Sequence, residues 1–531
     1  MKSKSLLIGI CLIGLLLLLS AVKAGVKNFK IITIDSETGK EIPARVLIQD
    51  NNGKSFVPEN SITLRIGKEV WFMNPGNSEL SITSRKVIIR AERGKEYDRV
   101  KREYDLSEKS SKEIKIDLKR WINMKSLGYL SSENHIHHSA ENAAAMCAAE
   151  DLDFGTSLQW WNRPRFGVPE GEGNIRELKF GKITTPVTVY DVEVEDAWGA
   201  LYLIGLSNPF PFLNDKSMPN IIAAEYGREH SALNCYQGGW SREVLIDALL
   251  GYVDVVNVCN NNFQMHRYQP RSQYSNLLNI KGFPIYPNTP EGMMQMNTDT
   301  YYRLLNCGLK LAAGAGSASG AKETPVGYNR VYVRTSPGKG LKGFLNAWKE
   351  GKNFVTNGPM LFLSTSEGLK PGDSLNLTSS KNISLNIKAV SDSPLGKIEI
   401  IKNGDIVKNF SLGKNQKTFT GSCELNISKS CWICARVTDT DMLLSDKELE
   451  KYKSPRVKLF QDPNRLRYAH TSPIYFYVNG KGIAVKKSVA VGLKMTDAFR
   501  DFTLKNAGEN YRKTILKAVD KAKNILRKKL E

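Results

Sequence analysis

The sequence predicts a multidomain chain: a central α/β barrel-sized domain, an all-β sandwich on either side of it, and a short helical C-terminal tail. Three observations carry this reading. Residues 26–119 and 360–482 are built of short alternating segments, "FKIITIDSETGKEIPARVLIQD" and "NISLNIKAVS" among them, broken by Gly, Asn and Asp turns. Residues 121–357 alternate strand-like runs ("LYLIGL", "YVDVVNVC", "LKLAAGAG") with helix-like runs ("ENAAAMCAAEDL", "SREVLIDALLG", "LKGFLNAWKEG"), the pattern of a mainly parallel sheet. Finally, the Lys-rich end has a 3.6-residue period from about Lys494, which predicts a helix. At 531 residues and 41% hydrophobic, the chain is too long for one ordinary core.

Element by element, the expected boundaries are 1–24, 25–120, 121–359, 360–482 and 483–531. The first segment, "MKSKSLLIGICLIGLLLLLSAVKA", sets Lys2 and Lys4 before an apolar run from Leu6 to Leu19, then places Val22 and Ala24 at the spacing of a signal-peptidase site. An exported protein starting near Gly25 is expected, with an uncleaved single-span anchor as the alternative. No second long apolar run follows, so no other membrane span is expected.

Loss of that segment would remove Lys2, Lys4, Lys23 and Cys11, lowering the formal charge from +21 to +18 and the cysteine count from eight to seven. An odd number cannot all pair within the chain, and a local bridge from Cys423 to Cys431 or Cys434 is the expected one. The lysines are spread along the chain and lack the aromatic interleaving of single-strand binders. A solvated basic surface is therefore expected, not a nucleic-acid partner.

Residues 133–162, "ENHIHHSAENAAAMCAAEDLDFGTSLQWWN", hold three of the six histidines. His135 and His137, one residue apart on a strand, face the same way, as a divalent metal of the zinc, manganese or iron kind requires. The helix "SAENAAAMCAAEDL" and the strand "FGTSLQWW" complete the unit that carries sites on the rim of a barrel. Trp160 and Trp161 point to opposite faces, one to the core and the other to the mouth, where an aromatic surface suits a small-molecule or glycan-like substrate. "GAGSASG" lacks a phosphate-loop ending, so its small residues are read as permitting close backbone approach to the mouth.

The HxH pair, the nearby acid, the "AEDL" helix end and the strand ending in "WWN" resemble the CehA/McbA-type branch of the PHP-domain metallohydrolases. Further matches follow in order: "VEVED" at 192–196, "REHSA" at 228–232, "VDVVNVCNNN" at 253–262, "YYRLLNCGLKLAAGAGSASG" at 301–320, "PVGYNRVYV" at 325–333 and "GKNFVTNGP" at 351–359. The resemblance covers about 120–360, and "YAHTSPIYFYVNG" looks like the family's downstream sandwich. It implies a distorted (β/α) barrel of PHP type with a metal site at its mouth and metal-assisted hydrolysis. Carried over by position, it implies His135, His137, Glu141, Glu195 and His230 as the ligand set. Glu141 and Glu195 remain alternatives for the fourth ligand or the general base. Arg330 either neutralises an anionic substrate group or pairs structurally.

The sequence also departs from the family pattern. Trp161 and Asn162 stand where a typical site has Asp-His, Ala318 and Gly320 where the last strand supplies an Asp and a His, and Asn262 where relatives can show a histidine. His266 then offers a substitute from a loop, and Asn262, like Trp161 and Asn162, falls to substrate binding. Each replacement removes charge and donor atoms. One ion, not a multinuclear cluster, is the expectation, with a catalytically silent binding protein as the alternative function.

Overall fold

The computed structural model describes residues 27–107, 112–162, 173–211, 215–442, 445–449, 460–461 and 466–531. The expected leader, 1–24, lies outside them. Among the described residues, no helix is long and apolar enough to cross a membrane.

The N-terminal region is a sandwich, as its alternation predicts. In Glu113–Leu118, for example, Ile114, Ile116 and Leu118 point inward while the residues between them face solvent. The strand Lys27–Asp35 lies between Asn77–Ile82 and Glu113–Leu118. The opposing sheet runs Thr63–Ile66, Glu69–Asn74, Ala44–Asp50, Lys86–Glu92 and Val100–Asp105. Phe29, Ile31, Val46, Ile48, Phe72 and Ile89 fill the space between the two.

In the centre, a seven-stranded sheet takes the order Gly155–Trp161, Ile183–Asp196, Gly199–Ile204, Leu233–Tyr236, Val255–Cys259 and Ala312–Ala315, with Ile175–Phe180 paired to the side of Ile183–Asp196. Its ends are joined through one segment. Ile136 bridges in parallel to both Ser157 and Ser319, and the Asn134 amide donates to the Ala315 carbonyl at 3.0 Å. The pairing is mixed instead of mainly parallel. Asp196 and Gly199 enclose a two-residue turn, so Ile183–Asp196 and Gly199–Ile204 form an antiparallel hairpin within the sheet expected to be mainly parallel. The helix Ala140–Ala149 begins at Ser139, whose hydroxyl accepts from the Asn142 amide, and it buries its alanine-rich length against the sheet.

The C-terminal sandwich sets Met360–Thr365, Lys381–Val390 and Thr418–Ile427 against a nine-stranded sheet over a core including Leu361, Leu363, Ile387, Ile398, Val437 and Phe476. That larger sheet crosses the expected boundary at 359/360. It takes in Tyr129–Ser132, Arg330–Arg334 and Asn353–Thr356 before continuing into Leu466–Thr471 and Cys431–Thr440. The expected disulfide is absent: Cys423 pairs across to Leu385 in the smaller sheet, whereas Cys431 and Cys434 lie in the larger one, and all three are free. The Lys-rich end is two helices, Lys486–Asn506 and Glu509–Lys528, not one. Val489, Phe499, Ile515, Val519 and Leu526 sink into the central core, so their apolar stripe makes this end part of the domain it covers.

Candidate metal centre

His135 and His137 flank Ile136, the residue that joins the two ends of the central sheet, so backbone pairing on both sides fixes their direction. Both are buried, and their imidazoles converge on Glu193. His137 Nε2 stands 3.0 Å and His135 Nε2 3.5 Å from Glu193 Oε2. One ligand atom from each of the three residues lies within 4.8 Å of the others.

The sheet register explains the convergence. Trp161, Glu193 and Tyr202 are direct neighbours across three adjacent strands. The Trp161 ring packs against His137 with centroids 4.8 Å apart, the Tyr202 ring packs against His135 at 4.6 Å, and Glu193 reaches both imidazoles from between them. Burial alone would raise the Glu193 pKa, but the charge and hydrogen bonds of His135, with those of His137, hold the carboxyl at about 2. Glu193 is therefore an anion in a nearly dry place.

Two glycines make room for the histidines. A Cβ on Gly316 would sit 2.5 Å from the His135 Cβ, and one on Gly320 would sit 2.1 Å from the His137 carbonyl oxygen. The glycine-rich stretch thus has the role expected from its small residues.

Glu195 lies two residues along the strand from Glu193 and so on the same face. Its Oε2 accepts from Trp161 Nε1 at 2.9 Å, and the Asn162 Oδ1 accepts from its backbone amide at 2.7 Å. Asn162 adopts a positive φ of 55°, which asparagine tolerates better than most residues. Burial and the charge of Glu193 raise the Glu195 pKa above the usual carboxylate range. Lys322 and Arg271 are close enough to Glu195 to feel its charge, which makes this end of the site partly cationic.

The other expected site residues lie elsewhere. Glu141 is exposed on the first turn of its helix and pairs with Arg176 at 3.1 Å. His230 ends the helix Asn220–Glu229, hydrogen-bonded through Nδ1 to the Tyr226 carbonyl at 2.9 Å and stacked on the Tyr226 ring. His266 lines a different, charged cavity with Arg45, Glu92, Arg99, Asp441 and Arg467, where burial lowers its pKa to about 4. Arg330 is fully buried and donates to the carbonyls of Gly327 and Glu150 at 2.7 and 3.0 Å, the structural alternative of its two expected roles. Asn262 belongs to a buried amide cluster with Asn260 and Asn297. Of the expected set, His135, His137, Glu195, Trp161 and Asn162 are brought together.

Sequence reasoning missed Glu193 and Tyr202. The period of two in "VEVED" already puts Glu193 and Glu195 on one face. What it lacks is depth, because only the hairpin register with Gly199–Ile204 shows which of the two reaches the histidines.

Two imidazoles and one carboxylate are the donor set of mononuclear zinc hydrolases and of sites for iron, and three protein ligands leave a position for water. The residues therefore fit one divalent ion. No protein-family model, curated protein or solved structure matches this chain.

Proposed function

We propose that the chain is an exported metal-dependent hydrolase with a PHP-type barrel, similar to the CehA/McbA branch, acting on an ester, carbamate, amide or phosphoester. The observation that carries this reading is the buried convergence of His135, His137 and Glu193 beside a second carboxylate, Glu195, with a raised pKa. Return of the strand pairing through Ile136 supports the barrel, and the leader-like segment 1–24 supports export.

In this reading His135, His137 and Glu193 hold the ion. A divalent ion held there would supply Lewis acidity toward a water and toward the scissile acyl or phosphoryl group. Glu195 is the general base. Its raised pKa brings it closer to the operating range of a proton acceptor, and the Trp161 indole N–H keeps one oxygen fixed while the other stays available. Lys322 and Arg271 offset negative charge that builds up on the substrate.

A second reading, a binding protein with no chemistry, draws on one observation: Glu193 already lies beside both imidazoles, so each has an anionic neighbour without an ion. A hydrolysis screen of aryl esters, carbamates, anilides and phosphoesters separates the two, using protein reconstituted with zinc, manganese or iron. Metal-dependent turnover that Glu195→Gln lowers at least ~100-fold, consistent with the usual size of general-base contributions, supports the enzyme. Tight ligand binding indifferent to a chelator, with no turnover, supports the binding protein.

A further inference from the structure

The Tyr202 hydroxyl lies 2.8 Å from His135 Nδ1, and the residue is completely buried. It reaches that position because it sits directly opposite Glu193 across the hairpin whose turn is Ala197–Trp198. One pair of cross-strand neighbours thus supplies both partners of a single imidazole, the Glu193 carboxylate toward Nε2 and the phenol on Nδ1. His137 is held differently, by the Trp161 ring on its face and by Gly320 against its carbonyl.

We propose that Tyr202 is a positioning residue for His135: its hydroxyl fixes the ring plane and occupies Nδ1, so that Nε2 faces Glu193 and is left to bind a divalent cation. The proposal rests on the reading of His135, His137 and Glu193 as a metal site. An imidazole that binds a metal through Nε2 carries its proton on Nδ1 and needs an acceptor there, which is the usual task of a carboxylate or backbone carbonyl. A phenol oxygen performs it too, and its own O–H can donate to Nδ1 when the ring carries its proton on Nε2. The hydrogen bond to Tyr202 thus persists in either tautomer, with its direction reversed. A phenol has both an O–H to donate and an oxygen lone pair to accept, so both roles are open to it.

Tyr202→Phe keeps the ring that packs on His135 and removes only the hydroxyl. Zinc affinity is measured by competition with a chromophoric chelator for wild type, Tyr202→Phe, His135→Ala and the double variant. The His135 ring tautomer is read from histidine ¹⁵N–¹H spectra of the metal-free proteins. The expected result is a ~10- to 100-fold loss of zinc affinity in Tyr202→Phe, with an unchanged circular dichroism spectrum, no further loss from the same change in the His135→Ala background, and altered ¹⁵N shifts at His135. Unchanged affinity and unchanged shifts would overturn it. If wild type binds no zinc, the metal reading fails by itself, and the ¹⁵N shifts alone then decide whether Tyr202 sets the His135 tautomer.

Discussion

The histidine pair is set by what surrounds it more than by its own sequence. The spacing of His135 and His137 suggests a metal site, but the third residue that could hold an ion with them comes from a strand nearly sixty residues on, and the space they occupy comes from Gly316 and Gly320. Gly316 has an ordinary backbone conformation, so the case for glycine there is purely one of space. Gly316→Ala would force the new methyl into His135 and Asn134 and is expected to weaken metal affinity at least ~10-fold, in line with the cost of disturbing support around a metal ligand, and to cost about 1–3 kcal/mol of stability through overpacking. Metal titration alongside thermal unfolding checks this, and an alanine variant with wild-type affinity would show that the glycine is dispensable. The residue types that make a site were readable in the sequence. Which of two acids on the same strand face reaches the histidines was not, because that depends on a pairing register with another strand.

At the scale of elements, strand-like and helix-like runs were legible because their periods differ, and both flanking sandwiches follow from alternation. The connection between Ile183–Asp196 and Gly199–Ile204 was not legible as a hairpin, since "DAWG" carries little of the usual turn chemistry and the preceding strand is long. Likewise the basic end reads as a solvated tail if only its lysines are counted. Its apolar residues instead make two helices whose inner faces complete the central core. Phe499 is wholly buried there, its ring 6.0 Å from that of Trp198. Phe499→Ala is expected to destabilise the protein by about 3–5 kcal/mol through lost burial and the cavity left behind, measured by denaturant unfolding. A loss below about 1 kcal/mol would mean that these helices are detachable.

For the whole molecule, the N-terminal sandwich is fastened to the rest by buried charge. Arg45 pairs with Glu92 in its own sandwich and with Glu150 at the end of the central helix, at 2.7 and 2.6 Å, while Arg99 reaches Asp392 of the C-terminal sandwich at 3.0 Å. The centre and the C-terminal sandwich meet at His470, which is buried with Nε2 2.7 Å from the Tyr302 hydroxyl. Burial, reinforced by Arg436, lowers the His470 pKa to about 3, below its ordinary value of 6.5. The unfolded chain therefore binds the extra proton first. Stability from this group is complete above pH ~6.5 and is lost as the pH falls toward ~3, by about 3 kcal/mol at pH ~4.5. Thermal unfolding of wild type should show this decline between pH ~7 and ~4.5, and His470→Gln should make it shallower, leaving the part that the buried His266 contributes; parallel pH profiles would count against a neutral buried imidazole at position 470. Whether His135, His137 and Glu193 together hold one divalent ion can be read from the elemental composition of the purified protein. Protein exchanged into zinc, manganese or iron and freed of excess metal should retain about one ion per chain, as a single three-ligand site requires, and a His135→Ala/His137→Ala variant should retain almost none. Metal content far below one ion per chain in the wild type, or equal content in both proteins, would contradict ion binding there.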